Sequence, residues 1–259
     1  KKAIMTGGIA SVMEKTGEII SKCENKGKVT LNYTGTHYIC AGGILSRSVS
    51  VTLDNNINHA TGAVTINAST SNQLCAAGGI IGDPNGNVVI TNNTNYAPVS
   101  TINTHATPYA YAGGIFGSDC EGTLHASGKG AKSVSGNVNY GSIYAKTQNT
   151  AMVNSTYAGA SAAGSAIGAG GLFGITAQST GIADDNKNFG SVSADNGGVP
   201  GGAGAAAGVS NTASAWGCVI GKGVTVNGTP WSEDVQAAWL CPVSTMKITP
   251  SYVDQPVNE

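Results

Sequence analysis

Apolar and polar positions alternate in short runs along this chain. Val29-Thr30-Leu31, Val49-Ser50-Val51-Thr52-Leu53, Val64-Thr65-Ile66 and Val224-Thr225-Val226 all have period two. Alternation carried by β-branched residues predicts half-buried strands. No apolar stripe at helical spacing continues beyond two turns. The small-residue runs Ala158–Ala166 and Ala205–Ala207 are broken or flanked by glycine and make poor helices. The pattern predicts an all-β chain.

The strands recur inside a longer period. Ala41-Gly42-Gly43-Ile44, Ala77-Gly78-Gly79-Ile80, Ala112-Gly113-Gly114-Ile115 and Ala169-Gly170-Gly171-Leu172 are nearly one phrase, and Thr6-Gly7-Gly8-Ile9 is a weaker copy. Their first glycines step by 35, 36, 35 and 57 residues. A second phrase, Asn-x-Asn-(Tyr/Phe)-(Gly/Ala)-x-(Val/Ile), follows as Asn93–Val99, Asn137–Ile143 and Asn186–Val192, with looser copies at Cys23–Val29 and Asn56–Ala60. From first glycine to closing aliphatic residue the offset is 22, 22, 21 and 22 at Val29, Val64, Val99 and Val192. It is 30 at Ile143, which predicts an insertion near Ser118–Lys132. A degenerate copy at Gly204–Gly208, with Val224 at offset 20, brings the array to about six units. A flexible glycine-rich linker would not keep such offsets.

A fixed period of this length marks a solenoid, because one unit cannot bury its own apolar face and must stack on its neighbours. Equivalent residues then lie about 4.8 Å apart. Ile9, Ile44, Ile80, Ile115 and Leu172 should form one inward ladder, and Val29, Val64, Val99, Ile143 and Val192 a second. Gly42, Gly43, Gly78, Gly79, Gly113, Gly114, Gly170 and Gly171 should form tight corners, through positive φ and the lack of a Cβ. Asn95, Asn139 and Asn188 should form a turn ladder, their amides bonding from coil to coil or to local backbone. The expected fold is a parallel β-helix over residues 1–230, right-handed by analogy with other crossover connections. Residues 231–259 leave the pattern. Trp231, Trp239, Pro242, Pro250 and Pro256 predict a cap over the last coil and an extended tail.

Composition narrows the function. Charged residues are 10% of the chain and the net charge is −1, with Arg47 the single arginine. No basic stripe is available for phosphates or for an anionic membrane, so nucleic acid is not an expected partner. No apolar run is long enough for a membrane-spanning helix. The six cysteines, Cys23, Cys40, Cys75, Cys120, Cys218 and Cys241, lack metal-ligand spacing. Cys40 and Cys75 fall near equivalent places, which leaves buried thiols or a disulfide open. His59 takes the Tyr/Phe slot of its repeat, a packing position. His37, His105 and His125 lie between repeats. Neither a metal nor a cofactor is expected. Carboxylates are sparse. Asp184-Asp185 reads as turn chemistry, and Arg47 lies outside any acidic cluster in sequence.

Gly78–Gly82 with Asn93–Val99, Gly113–Gly117 with Asn137–Ile143, and Gly170–Gly174 with Asn186–Val192 resemble GLUG-type repeats. The resemblance covers about Thr6 to Asn227. Departures are the insertion after Gly117, the degenerate sixth unit and units longer than the family's. GLUG-type repeats occur in secreted and surface proteins of bacteria, including adhesin-like proteins. The resemblance therefore implies a non-catalytic stalk or surface module, bacterial, secreted or at the cell surface, and part of a longer protein. A neutral Ser/Thr/Asn surface suits polysaccharide or a host-surface glycan or protein. Tyr109, Tyr111, Tyr144 and Tyr157 are the aromatic contacts expected to be exposed. The competing reading is a polysaccharide lyase or glycoside hydrolase on the same scaffold. It needs Asp184 and Asp185 to meet Asp54 or Asp119 in one groove. A third idea, a Thr/Ser array that orders water, is opposed by threonines that show no fixed offset.

Overall fold

The computed structural model describes residues 3–70, 75–105, 109–118, 131–147, 166–175, 186–196, 199–200, 225–226 and 229–230. Every regular element among them is a strand. Five sheets run along the stack, and among the described residues each of the first four coils adds one strand to each of them and the fifth coil to all but one. The middle sheet is Ala3–Gly7, Tyr38–Gly42, Cys75–Gly78, Tyr109–Gly113 and Ala166–Gly170. After the glycine pair come Ala10–Met13, Leu45–Ser48, Ile81–Pro84, Phe116–Ser118 and Phe173–Ile175, the return sheet. Three-residue strands follow at Ile19–Ser21, Thr52–Asp54, Val89–Thr91 and Ser133–Ser135. Two-residue strands at Glu24–Asn25, Ile57–Asn58, Thr94–Asn95, Val138–Asn139 and Lys187–Asn188 form the asparagine corner. The long sheet, Val29–Gly35, Val64–Thr70, Val99–Asn103, Ile143–Thr147 and Val192–Asn196, closes each coil.

All pairings between these coils are parallel, and register follows the repeat phrases: Gly42 lies beside Gly7 and Gly78, and Val64 beside Val29 and Val99. The fold is a parallel β-solenoid. The structure describes five copies of the middle strand. The expected sixth, Gly204–Gly208, lies outside the described residues, as do Trp231, Trp239 and the tail. Thr225–Val226 does not extend a ladder; it pairs antiparallel with Thr229–Pro230.

The core is double rather than a single thin lumen. The middle sheet is buried on both faces, because alternate residues point to opposite sides of a strand. Ile39, Ala41, Cys75, Ala77, Ala110 and Ala112 pack with Val29, Leu31, Val64, Ile66 and Val99 of the long sheet. Tyr38, Cys40, Ala76 and Tyr111 pack with Ile44, Leu45, Ile80, Ile81, Phe116 and Phe173 on the other side. The first predicted ladder is fully buried at Ile44, Ile80, Ile115 and Leu172 and opens at Ile9, 46% exposed on the first coil. The second is buried from Val29 to Ile143, and Val192 continues it in register.

The glycine pairs make the corners by a different route from the expected positive φ. None of the pair glycines is among the residues with positive φ. A Cβ on Gly42, Gly78 or Gly113 would strike the carbonyl oxygen of Leu45, Ile81 or Phe116 in its own turn. A Cβ on Gly43, Gly79 or Gly114 would strike the glycine carbonyl of the next coil and the side chain of Asn58, Asn95 or Asn139. The requirement is space. Left-handed backbone sits instead at Lys22, Asn55, Asn92 and Gly136, one residue before the copies of the asparagine phrase that begin at Cys23, Asn56, Asn93 and Asn137, at φ of 54°, 55°, 56° and 64°.

Candidate functional site

The asparagine corner is a continuous ladder of polar side chains among the described residues. Asn25, Asn58, Asn95, Asn139 and Asn188 are all buried. The Nδ2 of Asn25, Asn58, Asn95 and Asn139 each donates to the Oδ1 one coil further on, at 2.8, 2.9, 2.7 and 2.6 Å. The same side chains close their own turns: Asn139 Nδ2 donates to the Gly141 carbonyl at 2.9 Å, and Gly141 N–H donates to Asn139 Oδ1 at 3.2 Å. Coil-to-coil and local bonding both occur, as the sequence predicts. A second ladder, unpredicted, uses the first Asn of each phrase. Asn56, Asn93 and Asn137 donate to Asn93, Asn137 and Asn186 at 2.9, 3.0 and 2.9 Å. The doubled Asn-x-Asn spacing was its signal, since residues two apart face the same way.

Beside the corner the next residue of each phrase builds an aromatic column. Tyr96 stacks on Tyr140 at 5.0 Å and 6°, and Tyr140 on Phe189 at 5.1 Å and 15°. The rings cover one another's faces, so the column offers edges rather than a platform for a sugar ring. His59 occupies the same slot one coil below Tyr96, and its Nε2 lies 3.0 Å from Glu24 Oε2. Hydrogen bonds from Lys26 and His59 hold the Glu24 carboxyl below its ordinary pKa.

Arg47 is not isolated, contrary to its sequence surroundings. The return sheet places Val12, Arg47 and Asp83 side by side on successive coils. Arg47 Nε lies 3.3 Å from Asp83 Oδ2, and Nη1 lies 3.7 Å from Glu14 Oε1. The first is a charge contact without hydrogen-bond alignment. Asn85 Nδ2 donates to Asp83 Oδ1 at 2.8 Å, and the guanidinium lies 5.7 Å from the Tyr38 ring centroid. Burial opposes the charge on Arg47, but Asp83 and its neighbours outweigh burial and raise its pKa. With Asp83 only 1% exposed, this is a structural clamp between three coils.

The expected aromatic contacts divide. Tyr111 is 1% exposed. It lies beside Ala76, on the face of the middle strand that carries Cys40, so it is a core residue and not a ligand contact. Tyr144 is half-buried on the outer face of the long sheet, beside Ser100 and Ser193. Tyr109 pairs through its backbone with Ala166; its side chain and all of Tyr157 lie outside the described residues. Asp119, Asp184 and Asp185 do too. Asp54 accepts hydrogen bonds from Thr91 and Asn92 of the next coil at 2.8 and 3.1 Å, a turn role. Among the described residues no three His, Cys, Asp or Glu side chains gather as a metal site, and no helix is long and apolar enough to cross a membrane. Cys23, Cys40 and Cys75 are free thiols. Cys75 lies beside Ile39 rather than Cys40, and the one-residue slip sends the two thiols to opposite faces.

The outer face of the long sheet carries polar residues in ranks across the first coils. Thr30, Thr65 and Ser100 share one rank, Asn32 and Asn67 a second, Thr34 and Ser69 a third. Thr30 and Thr65 are one step of 35 residues apart, but the rank continues as Ser100 and Tyr144, so threonine does not recur along it. Comparison of the chain with protein-family models, curated proteins and solved structures gives no match.

Proposed function

We propose that this chain is a non-catalytic, adhesin-like module of a bacterial secreted or surface protein, built from GLUG-type repeats and serving as a stalk. The observation that carries this reading is the continuity of the axial ladders. One column of buried amides ties coil to coil from Asn25 to Asn188, a second from Asn56 to Asn186, and a column of aromatic rings joins the last three of these coils from Tyr96 to Phe189. Such a chain resists extension along its axis, which a spacer requires and an enzyme does not. The polar repeats are spent on cohesion between coils, and Asp54, the one described member of the alternative carboxylate set, is held in a turn.

Single-molecule pulling from the two ends tests the proposal. A stalk should yield in steps, each releasing one coil, a gain of roughly 120 Å for each repeat unit. Collapse in one low-force event would count against a load-bearing role. A cleared band in a native gel cast with polysaccharide would show cleavage and overturn the non-catalytic reading.

A further inference from the structure

We infer that the outer face of the long sheet over the first three coils, bounded above by Tyr144, is a docking surface for a neutral polysaccharide. This rests on reading the chain as a surface adhesin-like module and adds a location and a ligand class to it.

The face is flat and fixed from behind. Val29, Leu31, Val64, Ile66 and Val99 are buried beneath it, and their alternation turns Thr30, Asn32, Thr34, Thr65, Asn67 and Ser100 outward. Neighbouring ranks stand about 6.8 Å apart along the strands and neighbouring coils about 4.8 Å apart. Hydrogen bonds between side chains set the orientation of the polar groups before any ligand arrives. Asn67 Nδ2 donates to Asn32 Oδ1 at 3.0 Å, and Ser100 Oγ donates to Thr65 Oγ1 at 3.4 Å. Asn32 therefore keeps its amide N–H groups for a ligand, Asn67 keeps its carbonyl oxygen, and the hydroxyls can donate and accept.

Charge selects the ligand class. The strands Val29–Gly35, Val64–Thr70 and Val99–Asn103 contain no Lys, Arg, His, Asp or Glu. An acidic polysaccharide, a phosphate chain or a basic peptide would find no counter-charge on these three strands, and Lys146, beside Ile102, is the one charged residue of the bounding strand. A neutral polyhydroxyl chain loses nothing by that absence. The upper boundary supplies the second property of a sugar surface. Ser100 is followed in its rank by Tyr144, and Ile102 lies beside Asn67 in the next rank, both half-buried. Hydroxyls and amides that adjoin an aromatic and an aliphatic side chain match the polar rim and the apolar C–H face of a pyranose ring. Tyr144 and Lys146 interrupt the ranks, so the lattice does not continue as a water-ordering array.

The test is native affinity electrophoresis of the intact chain through gels cast with neutral galactomannan, neutral β-glucan or acidic alginate. Wild type, the double variant Asn32→Ala/Asn67→Ala and the single variant Tyr144→Ala are run together, with thermal melting as the folding control. The expected result is retardation of wild type in a neutral gel and not in alginate. Each variant should raise the apparent Kd about tenfold, and the double variant should melt as wild type does. Equal retardation of wild type and the double variant would place the contact elsewhere and overturn this surface, leaving glycan binding in place. Retardation in alginate alone would overturn the ligand class. No retardation in any gel would overturn the inference entirely, while the stalk reading would still be judged by the pulling experiment. If Tyr144→Ala melts early, the double variant alone decides.

Discussion

The asparagine corner and the outer face of the long sheet are both polar arrays built on the coil repeat, the first continued through five coils and the second through the first three, and they do opposite things with the same chemistry. At the corner Asn95, Asn139 and their equivalents are buried and satisfy one another. On the face Asn32 and Asn67 touch through one bond and turn their remaining groups to solvent. A buried amide without its partner incurs the full cost of desolvation, so the corner tolerates little change. An exposed amide exchanges protein for water at small cost. A repeating polar residue is thus cohesive where it is buried and available for recognition where it is exposed.

That contrast can be broken most severely at Asn139. Asn139→Ala removes the bonds to Asn95, Asn188 and Gly141 and strands their partners. It should cost about 3–4 kcal/mol, read as a fall in the urea midpoint. Arg47→Met should follow at about 3 kcal/mol, because it leaves the buried Asp83 carboxylate without its counter-charge while Asn85 still donates to it. The paired change Arg47→Met with Asp83→Leu should recover most of that loss.

A milder test uses pH. Burial pushes the Cys40 and Cys75 thiols above their ordinary 9.0 and the Tyr38 hydroxyl above its ordinary 10.0. The folded chain keeps these protons where the unfolded chain releases them. Stability is therefore complete below about pH 9 and falls as pH rises from the ordinary values toward the raised folded ones. Melting temperature measured from pH 8 to 11 should decline, and Cys75→Ala should make the decline shallower. Smallest of all, Asn67→Ala should change stability by no more than about 0.5 kcal/mol. A large loss of stability there would erase the distinction between face and corner.

The coil boundaries were legible because the period is physical. Each glycine pair, each Asn-x-Asn phrase and each closing valine occupies one place in the cross-section, so spacing alone predicts register. The double core was not legible. Alternation in Tyr38–Gly42 is hidden by residues that are apolar or small on both faces, the usual mark of a strand buried on two sides. Tyr111 was misplaced for the same reason: one apolar face was assumed where there are two. The contact of Arg47 with Asp83 joins residues 36 apart, one coil step, and could have been read from the repeat. The role of the glycines was half right, because sequence shows that a side chain is forbidden but not which atom forbids it.

The two amide columns have a direction. From Asn25 to Asn188 and from Asn56 to Asn186, every bond between two side-chain amides runs from the Nδ2 of one coil to the Oδ1 of the next, while in the second column Asn56, Asn93, Asn137 and Asn186 also donate back to the carbonyls of Ile20, Leu53, Ile90 and Val134. Aligned dipoles in a buried row polarise one another. Over the described coils each amide-to-amide row is therefore polar, with the accepting Oδ1 turned toward the earlier coil and the donated Nδ2 hydrogen toward the later one. A further coil that joins this row must bring its amides in the same sense, so the asparagines act as a one-way ratchet on the order in which repeats can be laid down.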